Sequence, residues 1–277
     1  MTHALKTDNS DALIRDKALW MRQQAMKMVY AKQLGHLGGD FSAIDVLATL
    51  YFGVLRYDTA RPDWADRDRF VMSKGHATGA LYTALAAAGY FPKDWLDTYM
   101  GHHSKLNGHP NRQYLPGVET NTGPLGHGFP VALGIAIAGQ ITGADYRTYV
   151  LTGDGEQQEG SNWEAAMTAG HRKVKNLTLI VDRNRLQQGA RTEETNGLDP
   201  LDDKYRAFGW DVVEIDGHDY GQLLETLGAP VGDRVKPLCV IANTVKGKGV
   251  SFMENQAKWH HGVPNAEQFA QAMKELV

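Results

Sequence analysis

With 277 residues and ordinary proportions of apolar and charged side chains, the chain can bury a sizeable core, and a single large α/β domain over 1–277 is expected. A formal net charge of only −3 gives no global field to draw it to nucleic acid or an anionic membrane, so a small diffusible ligand fits better. The polar start at 1–10 has no apolar signal core and no uninterrupted apolar stretch suggests a bilayer span, so a soluble, cytoplasmic protein is expected.

Ser10 stands as a cap ahead of Leu13, Leu19, Met26 and Val29, which recur at roughly helical spacing until Gly35 offers a stop. After the turn Gly35-His36-Leu37-Gly38-Gly39, a second helix is expected with Ser42 as cap and Asp45 as capping-box acid. Ile44, Leu47, Leu50 and Tyr51 form its apolar stripe. In the Gly-rich stretch 121–139, Gly123-x-x-Gly126-x-Gly128 is not a dinucleotide fingerprint. Its glycines come in the opposite order, after the polar run 116–122, with Pro124 and Pro130 among them. Two readings stand: a loop entering a helix packed through Ala132, Gly134, Ala136 and Ala138, or a loop touching a cofactor.

Further on, the apolar runs 147–151, 177–182, 210–215 and 238–243 read as buried strands with helices between them. The lone Cys239 falls in the last run and is expected buried and inert. Such alternation predicts an α/β fold of three layers, a doubly wound parallel sheet with helices on both faces. Ligands then bind beyond the carboxyl ends of the strands.

The strand ending in Thr152-Gly153-Asp154-Gly155, a helix from about Ser161 and a strand ending at Asp182 make a βαβ unit. Glycines at a strand's carboxyl end let backbone N–H groups approach a diphosphate, while the Asp154 carboxylate can hold a hard cation. Asn184 follows the next strand, so both side chains reach the same sheet edge and can share the oxygen coordination that Mg²⁺ requires. Gly153-Asp154-Gly155, Glu156-Gln157-Gln158-Glu159-Gly160 and Val181-Asp182-Arg183-Asn184-Arg185-Leu186 together resemble the thiamine diphosphate signature.

Further segments are similar, in order, to the first third to half of transketolase: Gly35-His36-x-Gly38, Arg67 through Ser73-Lys74-Gly75-His76, Leu115-Pro116-Gly117-Val118-Glu119 and Thr122 through Gly128. This resemblance implies Mg²⁺, or Ca²⁺ or Mn²⁺ in its place, on Asp154, Asn184 and the Leu186 carbonyl. It implies diphosphate contacts from His76, Gly155 and His261, with Gly153 and Glu156 also at the cofactor, and the Gly123-Pro124-Leu125 backbone against the aminopyrimidine. His36 and His109 face the sugar, His76 and His261 can serve both, and Glu159 resembles the acid that joins paired active sites. The doubled His260-His261 offers two rings, of which His261, beside Gly262, is carried over. Arg185, 187–191, His102 and His103 have no matching motif.

The activity so implied is movement of a two-carbon ketol unit from a ketose to an aldose, with the ketose phosphorylated or otherwise anionic. The implied partner is a separate C-terminal subunit that completes the pyrimidine side of the site in an α₂β₂ assembly. Two other thiamine enzymes carry a Gly-Asp-Gly signature, 1-deoxyxylulose 5-phosphate synthase and the α subunit of 2-oxoacid dehydrogenases. The flanks at Glu159-Gly160 and Ser73-Lys74-Gly75-His76 resemble transketolase more closely. A non-catalytic regulatory subunit is the reading from another class, and the intact Asp154 and Asn184 count against it.

Overall fold

The computed structural model describes residues 10–232 and 234–277. The polar start and the capping role read for the Ser10 side chain lie outside the described residues. Helix α1 (Ser10–Lys32) leads into α2 (Leu37–Thr49), which widens into a π-helical turn at Leu50–Val54. Strand β1 (Arg69–Met72), α3 (Thr78–Ala88), α4 (Gly128–Thr142), β2 (Thr148–Gly153) and α5 (Gly160–His171) follow. The rest is β3 (Leu177–Arg183), α6 (Thr192–Thr195), α7 (Leu201–Ala207), β4 (Asp211–Asp216), α8 (Tyr220–Gly228), β5 (Leu238–Asn243) and α9 (Ala266–Glu275).

The five strands form one wholly parallel sheet in the order β1-β2-β3-β5-β4. Alternate residues of each strand enter two separate cores, as the two-residue period of a strand requires. Phe70, Tyr149, Leu151, Ile180 and Val240 pack beneath α1, α2, α3 and α8, whereas Val71, Val150, Leu179, Val181 and Cys239 pack beneath α4, α5 and α7. The expected three-layer α/β architecture is therefore present, and Cys239 is buried as expected.

Several local expectations are corrected. Strand β1 is added at the sheet edge: its apolar run, Phe70-Val71-Met72, is only three residues long and follows the charged Arg69. Strand β4 forms the other edge and is mostly exposed rather than buried. Helix α2 starts at Leu37, so Gly38 and Gly39 are helical and Ser42 and Asp45 lie inside it. Neither caps. Ser42 Oγ donates to Asp182 Oδ2 at 2.6 Å, and Asp45 pairs with Arg22 at 2.6 Å. In α1 Leu13 is exposed, while Met26 and Val29 are buried. In α4 the packed face is Ala132, Ala136 and Gly139, with Gly134 and Ala138 turned outward. Leu37–Val54 does have the length and composition of a bilayer span, yet almost all of it is buried inside the protein as a core helix.

Candidate functional site

Because every strand points the same way, their carboxyl ends share one edge, and a cleft of about 460 Å³ opens there. Its wall is built by the loop after β1 (Lys74, His76), the turn after β2 (Gly153 to Glu156), the segment after β3 (Asn184, Leu186) and the loop after β5 (Lys246). The start of α2 and the turn at Ala257–His260 close it. Packing there is tight: a Cβ on Gly75 would lie 2.6 Å from the Thr122 carbonyl carbon and 2.8 Å from Gly123 N. Only glycine lets the β1 loop and the 122–126 loop touch backbone to backbone.

Asp154 is buried at the end of β2. Its Oδ1 accepts from Gly155 N–H at 2.7 Å, and its Oδ2 accepts from Arg185 N–H at 2.6 Å and from the Arg183 guanidinium at 3.3 Å. Burial first, and Asp182 second, push its carboxyl above the usual range, with Arg183 opposing. A buried acid in that state gains from a nearby cation. On the adjacent strand, Asn184 Oδ1 accepts from Leu186 N–H at 3.1 Å, and the Leu186 carbonyl accepts from Lys246 Nζ at 2.9 Å while keeping a second lone pair. A carboxylate, an amide and a carbonyl oxygen thus line one cleft at two neighbouring strand ends. All three are hard oxygen donors of the kind Mg²⁺ takes, so the residues fit a divalent cation carrying diphosphate. A Cβ on Gly155 would come within 3.1 Å of Gln187, whose Oε1 is buried without a hydrogen-bond partner.

Charge beneath the cleft is organised by Asp182. Its fully buried carboxylate accepts from Lys74, Ser42 and Thr244, and although burial pushes its pKa up, Lys74 holds it below the usual range. Lys74 also donates to Gly39 O at 2.8 Å. Lys246 is lowered to about 8, by burial and then by Lys74.

Four imidazoles crowd the same space, with ring centroids 5.1 Å apart for His36 and His76, 4.5 Å for His36 and His261, and 5.2 Å for His76 and His260. Burial, followed by neighbouring cationic groups, lowers His36 to about 4, His260 to about 2 and His76 well below its ordinary value. These three are neutral at physiological pH, able to accept or donate a hydrogen bond without adding charge. Ring nitrogens of His36, His260 and His261 lie within 4.8 Å of one another. Lys246 Nζ, 2.9 Å from His260 Nδ1, makes that spot better suited to a polar or anionic group than to a second metal.

His36, His76, His109, His261, Gly123, Leu125, Gly153, Asp154, Gly155, Glu159, Asn184 and Leu186 all line the one cleft. Glu156 does too, but its carboxylate is turned inward: it accepts from Ser73 Oγ at 2.5 Å and from the N–H groups of Gly126 and Gly153 at 3.0 Å each, tying three site loops together. Pro124 is exposed and is not in the wall. Glu159 is exposed and takes the N-cap position of α5 without a side-chain cap bond, beside Gly126. Arg185 has a left-handed backbone (φ 64°) and faces Asp199 at 3.6 Å, whereas Gln187 and Gln188 do reach the cleft. The ring centroids of His102 and His103 lie 3.9 Å apart, with the rings tilted by 56°, in an exposed loop. Both rings of the doubled histidine, His260 and His261, line the cleft. Sequence reasoning assigned no role to Lys74, Asp182 or Lys246: Lys74, between β1 and Gly75, carried a usable signal, whereas Asp182 and Lys246 gain their partners from distant chain.

A family model described as transketolase, thiamine diphosphate binding domain, matches residues 15–277. The chain belongs to the transketolase family. It is 48% identical over 255 residues to an apulose-4-phosphate transketolase subunit of Phocaeicola vulgatus, covering 92% of this chain and 90% of that one. It is 40% identical over 263 residues to a 6-deoxy-6-sulfo-D-fructose transketolase subunit of a Clostridium species, covering 95% and 96%. The transketolase of Leishmania mexicana superposes with a TM-score of 0.90 at 33% identity over 95% of this chain, which spans only 41% of that protein. The expected family, α/β fold and thiamine diphosphate-binding character are borne out, and the match is to the N-terminal part of transketolases and to proteins named as subunits.

Proposed function

We propose that the chain, acting as a single diphosphate-binding domain, is the N-terminal subunit of a split transketolase that moves a two-carbon ketol unit from an anionic ketose to an aldose. Asp154, Asn184 and the Leu186 carbonyl hold Mg²⁺, or Ca²⁺ or Mn²⁺ in its place, and through it the diphosphate. The observation that supports this reading is that residues carrying these three oxygen donors line one cleft at adjacent strand ends, together with Gly155. Thiamine diphosphate, when bound, supplies the electron sink for breaking the ketose carbon–carbon bond.

The chain's own residues bind and orient. His76 and His261 hydrogen-bond the diphosphate, Lys246 balances its charge, and the Gly123 to Leu125 loop meets the cofactor's ring end. His36 and His109 face the sugar, where an imidazole can hold or move a proton at the ketose hydroxyls and carbonyl. Two relatives named for a phosphorylated and a sulfonated sugar support an anionic donor. Their designation as subunits supports a separate C-terminal partner; an α₂β₂ assembly in the cytoplasm, with Glu159 near the joint, completes this reading.

The test is calorimetric titration of thiamine diphosphate, with and without Mg²⁺, into the chain assembled with its partner. Wild type should bind only with the metal, and Asp154→Ala should lose that binding because the site loses its one anionic ligand. An Asp154→Ala complex that kept cofactor and turnover would show that the ligand assignment is wrong.

A further inference from the structure

Lys246 is the only residue of the loop after β5 that lines the cleft among the described residues, and both its flanks are held from behind by one buried carboxylate. Val245 N–H donates to His218 Nε2 at 2.9 Å, and His218 Nδ1 lies 2.7 Å from Asp45 Oδ2. An amide N–H needs a lone pair opposite it, so Nε2 is unprotonated and the ring proton sits on Nδ1, donated to Asp45. On the other flank, Arg22 Nε donates to Lys248 O at 3.1 Å, while its two terminal nitrogens reach Asp45 at 2.8 and 2.6 Å. Tyr220 OH also donates to Asp45, at 2.6 Å, and not to the loop. Asp45, Arg22 and the His218 side chain are nearly enclosed, the last being 12% exposed.

We propose that Arg22, Asp45 and His218 form a positioning clamp, with His218 as its decisive member, that aims Lys246 at the cofactor's diphosphate. This rests on the cleft being the diphosphate site. The elements involved, α1, α2, the turn between β4 and α8, and the loop after β5, are brought together only by the fold. A purely structural role predicts that any loss from this network costs stability alike. A positioning role predicts that only losses reaching Val245 or Lys248 alter cofactor binding.

Three variants of the chain assembled with its partner separate these roles, read by thiamine diphosphate titration at saturating Mg²⁺, cofactor and ketose KM, and thermal midpoint. In His218→Asn the amide nitrogen replaces Nδ1 and keeps the bond to Asp45, but nothing reaches Val245; cofactor Kd and KM should rise roughly tenfold while ketose KM stays within about twofold. In His218→Gln the amide oxygen replaces Nε2 as acceptor, and cofactor Kd should stay within about threefold of wild type. Tyr220→Phe removes one bond from Asp45 and should lower the thermal midpoint with cofactor Kd unchanged. A folded His218→Asn that binds like wild type, a His218→Gln as weak as His218→Asn, or equal weakening by Tyr220→Phe would each overturn the clamp. Wild-type protein that took up no thiamine diphosphate would overturn the cofactor reading and the clamp with it.

Discussion

Asp40 sits fully buried near the start of α2, with one oxygen accepting from Ala80 N–H at 2.9 Å and the other without a hydrogen-bond partner, pressed against Gly79. Burial drives its pKa from 3.8 up to about 7, with the Ala80 N–H and Lys74 opposing. At 1.36 kcal/mol per unit, that rise is worth about 4 kcal/mol. The unfolded carboxyl releases its proton near pH 4 and the native one near pH 7, so in between the native state holds more protons. Stability from this group is therefore full below pH 4, falls as pH rises, and is spent above pH 7. Asp40→Asn keeps the size and the acceptor for Ala80 but does not titrate. Its stability relative to wild type should grow by about 3 kcal/mol between pH 5 and pH 8, measured by urea unfolding at each pH. Parallel stability profiles for the two proteins would refute the reasoning and mean that Asp40 is ionised throughout, paired electrostatically with Lys74.

Lys74→Met should destabilise by about 3–5 kcal/mol in urea unfolding, because it leaves the Asp182 carboxylate buried with only hydroxyl partners. Adding Asp182→Leu should recover much of the loss. His76→Ala and His261→Ala should weaken cofactor affinity, whereas His36→Ala and His109→Ala should chiefly lower turnover or raise ketose KM. Saturation curves in cofactor and ketose check this, and a large cofactor defect confined to His109→Ala would contradict the arrangement.

What the sequence discloses follows from the range of the interactions. Gly153-Asp154-Gly155 and Asn184 were legible because each directly follows an apolar run, and the parallel sheet then brings the two ends together without further information. Cys239 and the strands around it were legible for the same reason. Helix α2 misled because Ser42 and Asp45 have the spacing of a capping box but bond to Asp182 and Arg22, 140 and 23 residues away. Polar residues inside a fully buried helix look like its end. Lys246 and Asp182 were invisible as site elements because a charged residue is ordinarily solvated, and here their partners, such as Lys74 at a separation of 108 residues, exist only in the fold. Glu156 looks like a cofactor contact through its position in the motif, while its carboxylate binds the loops that shape the cleft.

The central claim is that this chain holds the diphosphate end of the cofactor and depends on a second subunit for ketol transfer. The most direct measurement is product analysis on a panel of phosphorylated and sulfonated ketoses with an aldose acceptor, at saturating thiamine diphosphate and Mg²⁺, for the chain alone and after mixing with its C-terminal partner. Two-carbon transfer should appear only in the mixture and vanish with Asp154→Ala. Robust ketose cleavage by the chain alone, or a mixture that decarboxylates pyruvate and leaves every ketose intact, would contradict it.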